Sequence, residues 1–137
     1  MITAVDSTVL LDVFGAHKIY GPQSAQLVQR CLSEGTLIAC EIVWAETGAM
    51  FKRAEEFNAV MRKLQVSFSA MHETSAWRAS HVWRQYRQRG GRRERVIADF
   101  LIAAHALEQA DRLLTRDRGF YRDYFATLKV LDPSQGS

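Results

Sequence analysis

Short apolar runs alternate with longer stretches of helical periodicity along the whole chain. The runs are rich in branched and aliphatic side chains, which is typical of buried strands, and they lie at residues 2–5, 37–39, 66–68, 112–115 and 127–131. Between the runs, apolar positions recur every three or four residues and predict helices. The helix before Gly35 has Pro22 in its first turn and that glycine just beyond its end, as helices commonly do.

Strands that alternate with helices usually pair in parallel through right-handed crossovers. The order of elements therefore predicts an α/β fold, a three-layer α/β/α sandwich with a short central parallel sheet. A chain of 137 residues that is 47% apolar can bury one core, so we expect one domain over residues 1–132 and a flexible polar tail over 133–137. In such sheets ligands bind beyond the carboxyl ends of the strands, where Asp6 and Asp117 are placed.

Helical spacing also predicts which side chains of a helix over residues 41–53 face inward. These are Ile42, Ala45, Ala49 and Met50, with Glu46 beside them. A second helix over residues 54–64 is expected to follow with little interruption. The composition argues against a membrane or secreted protein, because no apolar run reaches about 18 residues and the first residues contain two acids and no basic segment. A cytoplasmic protein is expected, with Cys31 and Cys40 as buried free thiols rather than zinc ligands.

Positive charge is concentrated in one segment. Residues 78–95 hold seven arginines and one acid, a local charge of +6 in a chain of net charge +3, so the remainder carries −3. This segregation suits a protein that holds a phosphate backbone with one segment and presents carboxylates with another. A solvated helix face followed by a loop explains the arginines about equally well. Trp44, Trp77 and Trp83 are candidates for base stacking, although core or interface positions are the commoner role.

Four acids occupy positions that invite a functional interpretation. Asp6 and Asp117 follow predicted strands, Asp99 lies in an almost wholly apolar helix, and Glu46 joins them more weakly. Taken singly, each has a structural alternative: a helix cap, an interaction with the helix dipole, a turn, or plain exposure. Taken together, converging carboxylates repel one another unless a cation neutralises them, and an all-oxygen ligand set favours Mg²⁺ or Mn²⁺. Ser7 and Thr115 are either supporting hydroxyls or ordinary turn residues.

Four segments in this order resemble the PIN domains, and among them the compact VapC-type toxins. They are the strand ending in Asp6-Ser7-Thr8, the segment IVWAETGAMF with Glu46, the segment IADFLIAAHA with Asp99, and LLTRDRGF with Thr115 and Asp117. The resemblance covers nearly the whole chain. It implies a parallel α/β/α fold and roles for Asp6, Glu46, Asp99 and Asp117 in binding Mg²⁺ or Mn²⁺ or in orienting metal-bound water during RNA cleavage. It also implies a small antitoxin that blocks the site, and a homodimer.

Other polar residues are expected to be structural. Asp12 and Asp123 are assigned solvated positions, and Glu41 is assigned to the dipole of the helix it begins. His105, in the apolar run IAAHA, is expected to be a hydrogen-bonded core histidine rather than a general base.

The leading hypothesis is a metal-dependent endoribonuclease, the toxin of a type II toxin–antitoxin pair, that hydrolyses RNA phosphodiesters with metal-activated water. Its expected RNA contacts are Arg89, Arg92, Arg93 and Arg95. Two alternatives remain open: a housekeeping PIN nuclease of RNA maturation, and a module that binds RNA or protein without cutting. Haloacid-dehalogenase-like phosphatases are disfavoured because Thr8 stands where their second aspartate belongs. Receiver domains are disfavoured because their aspartate after the third strand and lysine after the fifth are missing.

Overall fold

Five parallel strands form one central sheet in the computed structural model, which describes residues 1–91 and 95–135. The strands are β1 (Ile2–Val5), β2 (Thr36–Ala39), β3 (Val66–Phe68), β4 (Arg112–Leu114) and β5 (Val130–Leu131). Their order across the sheet is β3-β2-β1-β4-β5, and every described pair is parallel. The described residues therefore confirm the predicted α/β fold with a short parallel sheet.

Helices connect the strands and cover the sheet. They are α1 (Ser7–Phe14), α2 (Gly21–Glu34), α3 (Glu41–Gly48), α4 (Ala54–Lys63), α5 (Glu73–Gln88), α6 (Ile97–Gln109) and α7 (Arg118–Tyr124). The core contains Val5, Leu37 and Leu113 from the strands together with Leu10 and Phe100 from the helices, and each of these side chains is almost completely buried. No helix in the described part of the chain is both long enough and apolar enough to cross a membrane.

The strand order places the chain's reversal point at β1. From β1 the chain proceeds outward to β2 and β3, and it later returns to the other side of β1 to add β4 and β5. Such a reversal leaves a crevice beyond the carboxyl ends of the central strands. Val5 is paired with Leu114, so the next residues, Asp6 and Thr115, lie side by side at the edge of that crevice.

The helix predicted over residues 41–53 is shorter and faces a different way. It ends at Gly48, and its buried residues are Val43 and Thr47, whereas Ala45, Ala49 and Met50 are exposed. Because α3 packs against α1, α6 and β2, its inward face is decided by these three neighbours. The predicted inward face was therefore wrong. Hydrophobic periodicity does not distinguish a face with alanines from a face with a valine, so the pattern alone did not identify the buried side.

The last described residues pack against the domain. Residues Pro133–Gln135 belong to the predicted tail but form a short 3-10 helix that packs against α2. The Asp132 carboxylate accepts hydrogen bonds from the Ser134 amide at 2.8 Å and the Ser134 hydroxyl at 2.7 Å. Residues 136 and 137 lie outside the described residues.

Candidate active site

Asp6 lies at the centre of the crevice, immediately after β1. Its side chain is buried, and its Oδ2 accepts a hydrogen bond of 2.7 Å from the Thr115 hydroxyl. The Tyr121 hydroxyl donates to the same oxygen at 3.4 Å. Because Thr115 follows β4 and Tyr121 lies on α7, two separate elements hold this one carboxylate. Asp6 stands at the N-cap position of α1 but makes no side-chain cap bond, so the simple capping alternative does not explain it.

Glu46 reaches the same place from α3. The Ser7 hydroxyl lies 3.0 Å from Glu46 Oε1 and 3.4 Å from Asp6 Oδ1. A serine has only one hydroxyl proton, and the shorter distance favours donation to Glu46. Ser7 therefore links the two carboxylates, although Glu46 itself lies on the exposed side of the helix.

Asp99 occupies the first turn of α6 and is partly buried. Its Oδ2 accepts a hydrogen bond of 3.1 Å from the Val96 amide, so this carboxylate does satisfy a donor at the start of the helix. Its position beside the other acids is shown by its electrostatic effects on Asp6 and Tyr121. Asp99 thus has both the capping function and the location that the sequence suggested.

Asp117 is held by an arginine. Nη2 of Arg95 donates to Asp117 Oδ1 at 2.9 Å, and Nη1 donates to Oδ2. The guanidinium of Arg95 also lies over the Phe120 ring, 4.3 Å from its centroid. On the other side, the Asp117 amide donates to the Thr115 hydroxyl at 3.1 Å, which connects Asp117 to Asp6 through one side chain.

The protonation properties of the site reflect burial and crowding of like charges. Burial raises the pKa of Asp6 to about 6, the carboxylates of Glu46 and Asp99 add to the rise, and the bonds from Thr115 and the Ser7 amide oppose it. Burial is also the main cause of the raised pKa of Asp99, to which Asp117 contributes. The pKa of the buried Tyr121 hydroxyl lies well above its usual value, first through burial and then through the neighbouring acids. These shifts show that the carboxylates share one electrostatic environment.

The donor set fits a hard divalent cation in its chemistry. Carboxylate oxygens surround the crevice, and their mutual repulsion is relieved by any cation placed between them. Within residues 1–91 and 95–135, however, no three His, Cys, Asp or Glu side chains are already grouped closely enough to hold a metal. Both carboxylate oxygens of Asp117 accept a hydrogen bond from Arg95, so a cation at this carboxylate would compete with the guanidinium for its charge.

The predicted RNA-contacting arginines are placed differently from one another. Arg89 is exposed at the end of α5, and Arg95 is partly buried in its ion pair with Asp117. Arg92 and Arg93 lie outside the described residues.

Among the residues expected to be structural, the predicted environment of Asp12 was wrong. It was assigned to solvent, but it is only 4% exposed and accepts two hydrogen bonds from the Arg116 guanidinium, at 2.6 and 3.0 Å. The Ser24 hydroxyl donates a third bond to it at 3.1 Å. Asp12 is an acid on the helix that directly follows Asp6, and only the packing of α2 and the chain after β4 buries it.

The other structural expectations agree with the contacts. Asp123 is exposed. His105 is buried and lies 3.1 Å from the Ser69 hydroxyl, and burial lowers its pKa, as expected for a core histidine. Glu41 does more than respond to the helix dipole, because its carboxylate accepts the Met71 amide at 3.0 Å. Both cysteines are free and buried.

Sequence reasoning missed Tyr121 and the partnership of Arg95 with Asp117. Tyr121 lies four residues after Asp117, a spacing that places the two side chains on one face of a helix. This spacing was the available signal, but a tyrosine beside Phe120 and Tyr124 is indistinguishable from an ordinary core aromatic in the sequence.

Comparison with known proteins agrees with this geometry. The family model described as PIN domain matches residues 3–125. The chain therefore belongs to the PIN domain family, as the segments around Asp6, Glu46, Asp99 and Asp117 suggested. PIN domains are nucleases, and they generally use divalent metal ions. No curated protein matches the chain significantly.

Solved structures share the fold at low sequence identity. VapBC-1 from nontypeable Haemophilus influenzae matches with a TM-score of 0.75 and 20% identity, over 98% of this chain and 99% of that one. VapBC2 from Rickettsia felis, bound to a DNA fragment from its promoter, matches with a TM-score of 0.74 and 18% identity, over 96% and 98%. FitAcB from Neisseria gonorrhoeae matches with a TM-score of 0.65 and 19% identity, over 98% and 99%.

Proposed function

We propose that this PIN-domain protein is a Mg²⁺- or Mn²⁺-dependent endoribonuclease and the toxin of a type II toxin–antitoxin pair. The observation that carries the nuclease assignment is the convergence of carboxylates on Asp6 at the reversal point of a parallel sheet, where burial and then the neighbouring acids raise the pKa of Asp6. Family membership supports hydrolysis of a phosphodiester, and the basic segment supports a nucleic acid as substrate.

The surroundings of each site residue suggest its role in the proposed reaction. Asp6, Asp99 and Asp117 are the proposed metal ligands, and a bound cation would neutralise charge at the phosphate and lower the pKa of a bound water. Glu46 is the most exposed of the four acids and completes the catalytic set by orienting water on the open side of the crevice. Ser7 and Thr115 hold Glu46 and Asp6 in place through their hydroxyl groups.

The toxin assignment rests on the structural neighbours. These are VapBC, FitAcB and one complex described as a toxin–antitoxin complex, from Klebsiella pneumoniae, and the chain covers 96–98% of its own length and 97–99% of theirs. A chain of the same extent and fold supports the same kind of partner, a small antitoxin that blocks the carboxylate site. We also propose that the protein forms a homodimer. A cytoplasmic location is proposed because a toxin of this type would act on cellular RNA.

Cleavage assays test the nuclease. Structured and unstructured RNAs are incubated with the purified protein and Mg²⁺, Mn²⁺ or EDTA, using Asp6→Asn, Glu46→Gln and Asp99→Asn beside the wild type. Each substitution is expected to lower the rate by about 100-fold or more. The matched control is Asp123→Asn, which neutralises an exposed acid on α7 and should retain full activity. Cleavage that persists in EDTA, or in the Asp6 and Asp99 variants, would contradict the assignment.

Expression in cells separates a toxin from a maturation enzyme. Induced wild-type protein should arrest growth, Asp99→Asn should not, and co-expression of the proposed antitoxin, a small protein encoded beside this one, should restore growth. An active nuclease that leaves growth unaffected at high expression would instead support a housekeeping role. The molar mass of the purified protein, measured by light scattering after size-exclusion chromatography, tests the proposed homodimer.

A further inference from the structure

A groove of about 580 Å³ lies on α5, outside the carboxylate crevice. Trp77, Trp83, Arg84 and Arg87 contribute to its lining, and no residue of the catalytic set does. The Trp77 side chain is 75% exposed, the largest exposed fraction among the large hydrophobic residues described. Helix α5 places residues three and four apart on one face, so these aromatic and basic side chains form a single mixed surface.

The arginines of this groove carry charge that no acid among the described residues neutralises. Among the described residues, neither Arg84 nor Arg87 lies within salt-bridge distance of a carboxylate, whereas Arg78 on the same helix pairs with Glu108 at 2.9 Å. The Arg87 guanidinium lies over the Trp83 ring, 5.0 Å from its centroid. This cation–π contact stabilises the position of the ring. The groove is therefore basic, with partly exposed indole rings between the charges.

The groove continues toward the active site. A second cavity of about 320 Å³ shares Trp83 and Arg87 with it and extends to Arg95 and Ile97. Arg95 is the residue whose guanidinium binds Asp117. From Trp77 to Arg87 the helix rises about 15 Å, at about 1.5 Å per residue, so a ligand along this surface extends well beyond the carboxylates.

We propose that this α5 groove binds a single-stranded segment of the RNA substrate, with a base stacked on Trp77 and phosphates held by Arg84 and Arg87. The proposal rests on the nuclease function, because the same strand enters the crevice beyond Arg95. A single strand is favoured because an unpaired base exposes the ring face that an indole can stack on. A second copy of the chain is a less suitable occupant, since a two-fold contact centred on the groove would bring Arg84 and Arg87 of both copies together.

Binding measured in EDTA tests the groove without cleavage. The probe is a labelled single-stranded oligoadenylate of about 12 nucleotides, within the site sizes of about 4–16 nucleotides known for such surfaces. Trp77→Ala should weaken binding by about 5- to 150-fold through loss of base stacking, and Trp77→Phe should restore most of it. A strand of the same length without bases should bind wild type and Trp77→Ala equally, because it has nothing to stack.

The salt dependence tests the arginines. Replacing Arg84 and Arg87 together by glutamine should lower the slope of log affinity against log salt by about 1.4, for two phosphate contacts on a single strand. The matched control replaces Arg62 and Lys63, two exposed cations at the end of α4, and should leave the slope close to that of the wild type. Trp77 is so exposed that its substitution is not expected to disturb folding, and circular dichroism checks this.

The outcomes separate this proposal from the nuclease assignment. Trp77-dependent binding in a protein that cuts no RNA supports the groove and contradicts the nuclease. Metal-dependent cleavage with unchanged affinity in both groove variants supports the nuclease and overturns the groove. Equal affinity for a duplex of the same length also overturns the groove proposal. Trp77-dependent binding of polyglutamate in place of RNA overturns it as well, and would indicate that the groove binds an acidic protein segment.

Discussion

Arg95 and Asp117 form an ion pair with two hydrogen bonds at the edge of the carboxylate site. The bond to Asp117 is the main reason that the pKa of Arg95 is raised, and Asp99 adds to the effect. The guanidinium thus supplies positive charge to the acids in the structure described here. A metal held by Asp117, as proposed above, would compete with Arg95 for this carboxylate, and the ion pair would then affect metal affinity.

Replacing Arg95 by glutamine should tighten Mn²⁺ binding. The substitution frees Asp117 from a partly exposed ion pair, and we expect a gain of up to about fivefold, in line with a hydrogen-bonded pair worth about 1 kcal/mol. Isothermal titration calorimetry measures the change. Arg122→Gln is the control, since it removes an arginine that is 73% exposed and bound only loosely to Asp123. Weaker or equal Mn²⁺ binding in the Arg95 variant would show that the arginine does not compete with the metal.

Deprotonation of Asp6 should lower the stability of the metal-free protein as the pH rises from about 4 to about 6. Asp6 has a pKa of about 6 in the fold, above its ordinary 3.8, so the folded state binds its proton more tightly than the unfolded chain does. Protonated Asp6 therefore favours folding, and this advantage, up to about 3 kcal/mol, disappears as the pH passes the folded pKa. Asp6→Asn should abolish this part of the pH dependence.

Urea unfolding in EDTA at pH 4, 5, 6 and 7 measures that effect. Asp123→Asn, at an exposed position, should show the same pH dependence as the wild type. If Asp6→Asn and the wild type lose the same free energy of unfolding over this range, Asp6 is not the group responsible.

Thr115 should matter through its hydroxyl group. It donates to Asp6 at 2.7 Å and accepts from the Asp117 amide at 3.1 Å, so Thr115→Val removes the shorter of the two hydrogen bonds to Asp6 Oδ2 and the acceptor of the Asp117 amide. We expect a loss of about 1–3 kcal/mol in the free energy of unfolding and lower RNA cleavage. Thr115→Ser keeps the hydroxyl and should recover most of both. Full activity in the valine variant would reduce Thr115 to an ordinary strand-end residue.

Asp12 should be a stabilising residue without a role in cleavage. Asp12→Ala leaves Arg116 and Ser24 without their shared acceptor, and we expect a loss of about 2–4 kcal/mol, somewhat below a fully buried pair because Arg116 is partly exposed. Asp123→Ala is the matched control and should change stability by less than about 0.5 kcal/mol. Chemical denaturation measures both, and equal midpoints would contradict the structural role of Asp12.

Much of the fold follows from local pattern. The strands at Ile2–Val5 and Val66–Phe68 have the predicted bounds, because short runs rich in branched and aromatic side chains favour strands wherever they lie in a sheet. The last strand is shorter than predicted, since only Val130–Leu131 pairs with β4, and pairing depends on the partner as well as on the run. The acids were identifiable for the same local reason: a carboxylate within or directly after an apolar segment is conspicuous.

Tertiary packing decided what these acids touch. Asp12 and Arg116 are 104 residues apart and Arg95 and Asp117 are 22 apart, and no periodicity connects either pair. The buried face of α3 likewise depends on the three elements around it. The sequence by itself determined a parallel α/β sheet with Asp6 and Asp117 at the ends of its central strands, because burial and strand order act through local pattern. Only the folded structure decided that Arg95 neutralises Asp117 and that Asp12 is buried, because ion pairs form between side chains that packing brings together.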